Sequence, residues 1–161
     1  YHFPDYWEDV IKDVPQKNSD NLLEFYASKI LNTQTLTKWN YKLSYYQMAI
    51  NNFKVKDRTR NINYISENPN VVYAMSRLVC LYFLTCRPDI LENSRVLNNI
   101  QINIVHGRYD MICSLEGAYL LKKYVPNIEL DIAENSGHSE HEPEIKKLLY
   151  TAISKIVSNN V

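Results

Sequence analysis

The chain has 161 residues, of which 45% are hydrophobic and 22% charged, a balance typical of a globular domain with a sizeable core. Its net charge is zero and its pI about 7.1, which argues against a nucleic-acid or anionic-membrane partner, since either would call for a basic patch. Three glycines leave no room for a glycine-rich phosphate loop, and the three cysteines, Cys80, Cys86 and Cys113, neither pair completely nor show metal-ligand spacing. Neither a metal nor an organic cofactor is implied, and a reduced, cytoplasmic compartment is expected.

The first 98 residues read as helices. Pro4-Asp5 opens a short helix through Ile11, with acids in its first turn. Ser19 is placed to cap a helix from about Asp20 to Leu31. Leu36, Trp39, Leu43, Tyr46, Ile50 and Phe53 recur every three or four residues and predict one helical stripe, more readily core than substrate platform. Lys54, Lys56, Arg58 and Arg60, with Asp57 among them, read as a solvated loop. Asn68-Pro69 predicts a cap and a first-turn proline. The helix that follows, Val71 to about Thr85, is apolar on most sides, so burial against several neighbours is expected. It is too short to span a bilayer. Arg87-Pro88 ends it and starts a shorter helix through Val96.

From residue 99 the pattern becomes strand, helix, strand, helix. Ile100 to Val105 is a β-branched strand, and Leu115 to Tyr124 a helix with Leu120, Leu121 and Val125 inward. Ile128, Leu130 and Ile132 alternate in a second strand. Ile145, Leu148, Leu149, Ile153 and Val157 mark one face of a last helix. Two strands joined by one helix form a parallel crossover unit. Both turns after the strands therefore open at one sheet edge, where open α/β sheets bind ligands. Asp110 stands in the first of these turns and His138 in the second. A two-stranded sheet is not self-sufficient, so the rest of it is expected before residue 1 or on another polypeptide.

An acid after one strand and a histidine after the next is how an α/β-hydrolase presents two members of its catalytic triad. His106-Gly107-Arg108-Tyr109-Asp110 with Cys113 beyond it, and Gly137-His138-Ser139 followed by Glu142-Pro143, resemble the proline iminopeptidases (prolyl aminopeptidases). These are serine exopeptidases of the α/β-hydrolase fold. Phe3-Pro4-Asp5-Tyr6-Trp7-Glu8 resembles the start of that family's helical cap, and Ser76-Arg77-Leu78 with Tyr82-Phe83 a later cap helix. The resemblance spans nearly the whole chain but only the family's second half. It implies a helical cap at 1–98 and the C-terminal end of an α/β-hydrolase core at 99–161.

The resemblance also assigns roles. Asp110 takes the place of the triad acid and His138 that of the general base, while Cys113 lies near the substrate pocket. The nucleophilic serine and the oxyanion-hole amides fall in the first half, outside this chain, so the chain alone is expected to be inactive. The implied partners are a peptide or small-molecule substrate and the N-terminal half of the hydrolase core, in the same or a separate chain. The family's two cap glutamates, which grip a free amine, are replaced here. Leu43-Ser44-Tyr45-Tyr46-Gln47 brings Gln47 to one position, and Val79 occupies the other. Gln47 still accepts a hydrogen bond but carries no charge. A hydrogen bond to a charged group contributes about 1.5–3 kcal/mol, so losing both costs on the order of 10²–10⁴ in affinity for an N-terminal proline. An esterase or amidase of other specificity, or a non-catalytic binding protein on the same fold, therefore stands beside removal of an N-terminal proline.

Simpler readings compete at single residues. Asp110 alone would be a turn former. His106 reads as a packed strand-end residue, and His141 as exposed at a helix start. His2 has no evident partner. Ser139 lacks a strand-to-helix elbow and is not the nucleophile. Glu142-Pro143 reads as a helix N-terminus, or as a capping box with Ser139. Cys113 taken alone is more readily a packing residue.

Overall fold

The computed structural model describes residues 3–54, 58–86 and 90–159. His2, Lys56, Asp57 and the Arg87-Pro88 stop lie outside the described residues. The chain divides into two compact units, Tyr1–Ala49 with Lys56–Pro88, and Ile50–Val55 with Asp89–Val161.

The first unit is helical: α1 (Pro4–Ile11), α2 (Leu22–Ile30), α3 (Lys38–Ile50), α4 (Arg58–Glu67) and α5 (Pro69–Thr85). Its α2 starts later than expected. Residues Gln16–Asn21 wind as a 3₁₀ turn and Asn21, not Ser19, stands at the α2 N-cap. Trp39 meets Phe25 and Tyr26 edge-on at 5.0 and 5.4 Å, and the Tyr26 hydroxyl donates to the Val10 carbonyl at 2.8 Å. Burial pushes the Tyr26 phenol up, so it stays a neutral donor. Arg77 Nη1 donates to the carbonyls of Ile30, Leu31 and Thr33 at 3.1, 2.8 and 3.0 Å. A cation thereby satisfies the open carbonyls at the end of α2. The Asn40 side-chain amide donates to Ser76 Oγ at 2.8 Å, and both residues are fully buried. Arg58 and Arg60 begin α4 instead of a loop, and Arg58 pairs with Asp5.

The α5 helix departs from expectation. Only Val72, Ser76 and Cys80, spaced one turn apart, are buried. Val71, Met75, Leu78 and Tyr82 form an exposed apolar stripe, and Phe83 is 66% exposed. Apolar composition predicted burial on most sides, but α5 packs chiefly on α2 and buries one narrow face. Among the described residues, no single helix is long and apolar enough to cross a membrane.

The second unit carries α6 (Ile90–Asn93), β1 (Ile102–Gly107), α7 (Leu115–Tyr124), β2 (Ile128–Ala133) and α8 (Pro143–Asn159). The segment from Ser94 to Asn99 is a 3₁₀ helix, so the α-helix expected through Val96 stops early. The two strands pair in parallel, from Ile102 opposite Ile128 to Gly107 opposite Ala133. Both α7 and α8 pack on both strands. Val125, Ile128, Ala133, Ala118, Ile145 and Ala152 form the buried centre. Leu120, Ile153 and Val157 are exposed instead of inward, because this sheet gives each helix a face only two strands wide.

The turns after β1 and β2 are zipped together. The Arg108 amide donates to the Ala133 carbonyl and the Tyr109 amide to the Ser136 carbonyl, each at 2.9 Å. Gly107 is required by this closeness: a Cβ there would lie 1.9 Å from the Gly137 oxygen and 2.6 Å from the Ser136 oxygen, both backbone atoms. No described glycine has positive φ, so space, not backbone conformation, selects glycine here.

Residues 51–53 clamp the second turn. The Asn51 carbonyl accepts from the amides of His138 and Ser139 at 3.0 Å each. Glu142 Oε1 accepts from the amides of Phe53 and Gly137 at 2.8 and 2.9 Å. Phe53 stacks on Tyr109 at 4.7 Å. Phe53 thus lies beyond α3 and off the predicted helical stripe, as does Leu36 on the other side. Glu142 is bound to two backbone amides, so its carboxylate is not the reciprocal arm of a capping box with Ser139.

Gly107→Ala should cost about 3 kcal/mol or more, the upper range for overpacking, because the obstructing atoms are backbone. Denaturant unfolding at wild-type stability would show that the turns do not approach this closely. Glu142→Ala should cost about 1–2 kcal/mol by leaving two amides without their acceptor, while Glu142→Gln, which keeps an Oε1 acceptor, should lose less. Equal losses in the two variants would discount the carboxylate oxygen as the clamp.

Candidate active site

Asp110 sits at the end of the β1 turn, and its side chain is 5% exposed. The short acid folds the backbone around itself. Oδ1 accepts from the amides of Ile112 at 2.9 Å and Cys113 at 2.8 Å, an Asx-type turn leading toward α7. Ser114 then caps α7 by accepting from the Glu116 amide at 3.2 Å. With Oδ1 occupied, Oδ2 is left to face the second turn.

His138 fills that position. Its Nδ1 lies 2.9 Å from Asp110 Oδ2. The backbone of His138 is fixed by Asn51, so imidazole and carboxylate are both presented by hydrogen-bonded turns. A carboxylate can only accept, so this contact makes Nδ1 the protonated nitrogen and leaves Nε2 with its lone pair. The side chain is 37% exposed, which gives a reactant access to the ring. An imidazole in this tautomer can take a proton at Nε2, and the adjacent carboxylate stabilises the cation that results.

His106, read as a packed strand-end residue, is indeed 13% exposed. Its Nε2 is 3.7 Å from Asp110 Oδ2, too long for a hydrogen bond, so His138 is the partner of the acid. His141 is exposed beside Glu140.

The Cys113 amide is tied to Asp110, and its side chain is exposed, contrary to a simple packing role. Desolvation and then the Asp110 charge push its thiol up, which disfavours a thiolate nucleophile. Arg108 joins the two turns from outside through Nε and Nη2 to Glu134, at 2.8 and 2.7 Å, and holds the Glu134 carboxyl below its ordinary range. Gln47 and Val79 lie on α3 and α5 of the first unit, both half-buried.

Sequence reasoning did not identify the Asn51 carbonyl or the Glu142 carboxylate as supports of the histidine turn. Asn51 acts through its backbone and leaves no residue-type signal. Glu142 carried one, an acid four residues beyond His138, but its position before Pro143 also suits a helix start.

No family model matches the chain. Curated relatives do. A proline iminopeptidase of Xylella fastidiosa is 27% identical over 96% of this chain and 51% of its own length. One from Arabidopsis thaliana is 27% identical over 96% of this chain and 42% of its own. A putative proline iminopeptidase of Mycoplasma pneumoniae is 36% identical over 98 residues, 55% of this chain and 31% of its own. The chain spans about half the length of the curated relatives it matches over nearly all of its own. The chain is thus a relative of the proline iminopeptidases, and its helices and parallel strand pair make up the C-terminal part of an α/β-hydrolase.

Proposed function

We propose that this chain supplies the acid and the general base of a serine hydrolase that releases an N-terminal residue, preferably proline, from peptides. The observation that carries this reading is the 2.9 Å contact between His138 Nδ1 and Asp110 Oδ2, with the other carboxylate oxygen committed to two amides. In this reading His138 Nε2 takes the proton of a serine hydroxyl as the serine attacks the scissile carbonyl. It later returns a proton to the leaving amine, and water then releases the acyl group by the same route. Asp110 holds the tautomer and offsets the imidazolium charge. The serine and the oxyanion-hole amides come from polypeptide outside this chain, the N-terminal half of the hydrolase core. The apolar stripe of α5 and the open edges of the two-stranded sheet are surfaces suited to covering by such a segment.

A second reading, an esterase or amidase of other specificity, is favoured by Gln47 and Val79, which stand where the resemblance puts two amine-gripping glutamates. Without those charges an N-terminal ammonium has less to bind. In either case the substrate is an acyl compound.

The complete hydrolase, this chain together with its N-terminal half, is the material for the test. Hydrolysis of proline p-nitroanilide is expected, and both Asp110→Asn and His138→Ala should lower kcat by about 10³–10⁴ with the fold retained. Turnover of a simple p-nitrophenyl ester without turnover of proline p-nitroanilide would replace the peptidase reading by the second one. Activity unchanged in both variants would remove the pair from catalysis altogether.

A further inference from the structure

Asp110, Cys113 and His138 each place one metal-ligating atom within 4.8 Å of the other two. The first turn thus provides a carboxylate and a sulfur, and the second an imidazole nitrogen. Sulfur, nitrogen and carboxylate oxygen together are a donor set suited to zinc, which is four-coordinate with bonds of about 2.0–2.3 Å to such ligands. Tetrahedral angles then bring ligand atoms to roughly 3.3–3.6 Å of one another, so a separation at the 4.8 Å limit closes by about an ångström, while the 2.9 Å contact between His138 Nδ1 and Asp110 opens slightly if that nitrogen is the ligand.

The structure allows that contraction. Asp110 is the fixed ligand, since two amides hold its carboxylate. Cys113 and His138 are exposed, so their side chains can turn without disturbing a packed core. The Asp110 to Cys113 amide bond sets the start of the cysteine side chain beside the carboxylate. With three protein ligands, the fourth position is left for water.

We propose that Asp110, Cys113 and His138 form a site for a thiophilic divalent cation, zinc above all, and that occupancy takes His138 out of proton transfer. The metal displaces the thiol proton to solvent and binds the resulting thiolate. Its bond to the imidazole consumes a nitrogen lone pair. If that nitrogen is Nε2, the base itself is blocked. If it is Nδ1, the hydrogen bond to Asp110 is lost and the tautomer is no longer held. Reversible inhibition thus follows from either geometry. The inhibitory consequence rests on the hydrolase reading, but metal binding does not.

Binding is therefore read directly, on the full chain under reducing conditions. Titration with cobalt(II), as a spectroscopic substitute for zinc, should give a thiolate-to-cobalt charge-transfer band and the visible bands of a four-coordinate ion, saturating at one equivalent and displaced by zinc. The charge-transfer band should vanish in Cys113→Ser and persist in Cys86→Ser, while His138→Ala should weaken metal binding at least tenfold. On the unsubstituted chain, zinc should slow iodoacetamide alkylation of Cys113 at least tenfold and leave that of exposed Cys86 unchanged. No thiolate band, a band that survives Cys113→Ser, or equal alkylation with and without zinc would overturn the proposal. None of these readouts needs enzymatic activity, so a failed hydrolase assay leaves their meaning intact.

Discussion

The second unit is organised around one carboxylate. Asp110 is nearly buried, and each of its oxygens has work to do: Oδ1 accepts two backbone amides and Oδ2 faces the His138 imidazole. A buried acid without partners would be costly to ionise. Here the partners come from its own turn and from the turn after the neighbouring strand, so the carboxylate is fully partnered only when both turns are in place. The parallel register supplies that condition. Gly107 and Ala133 end the two strands side by side, and amide bonds from Arg108 and Tyr109 carry the pairing into the turns.

Support for the histidine comes from a different direction. Asn51 holds the backbone of His138 and Ser139 through a single carbonyl, and Glu142 ties Gly137 to Phe53. Backbone atoms take part in every one of these bonds, so the imidazole's place is set by the path of the chain more than by side-chain packing. Such a site tolerates exposure of the ring. It can offer Nε2 to a reactant and still keep Nδ1 on the acid, which is what acid–base chemistry asks of a histidine. The same openness brings Cys113 within reach of a shared cation.

The second unit was largely legible in the sequence because its elements are short and strongly periodic. Ile100 to Val105 and Ile128 to Ile132 alternate or run apolar between clear breaks, and the parallel crossover they imply puts Asp110 and His138 at one edge. The clamp was less legible. Phe53 continues a three-four spacing from Leu36, yet it leaves α3 to stack on Tyr109, and spacing alone does not show where a helix stops. Asn51 acts through a carbonyl that every residue has. On α5, composition overstated burial: Met75, Leu78 and Phe83 are as apolar as a core requires, but α5 packs chiefly on α2 and buries only the narrow face along Val72, Ser76 and Cys80. At Cys113 a cysteine's usual burial gives way to an Asx turn, and the side chain is exposed.

The central claim is that His138 donates Nδ1–H to Asp110 in the folded chain. Proton NMR of the chain labelled with ¹⁵N-histidine tests it most directly. The account predicts a slowly exchanging, downfield ring proton coupled to His138 Nδ1, absent in His138→Gln and lost or shifted strongly upfield in Asp110→Ala. A His138 ring protonated on Nε2, or an Nδ1 proton indifferent to the loss of Asp110, would contradict it.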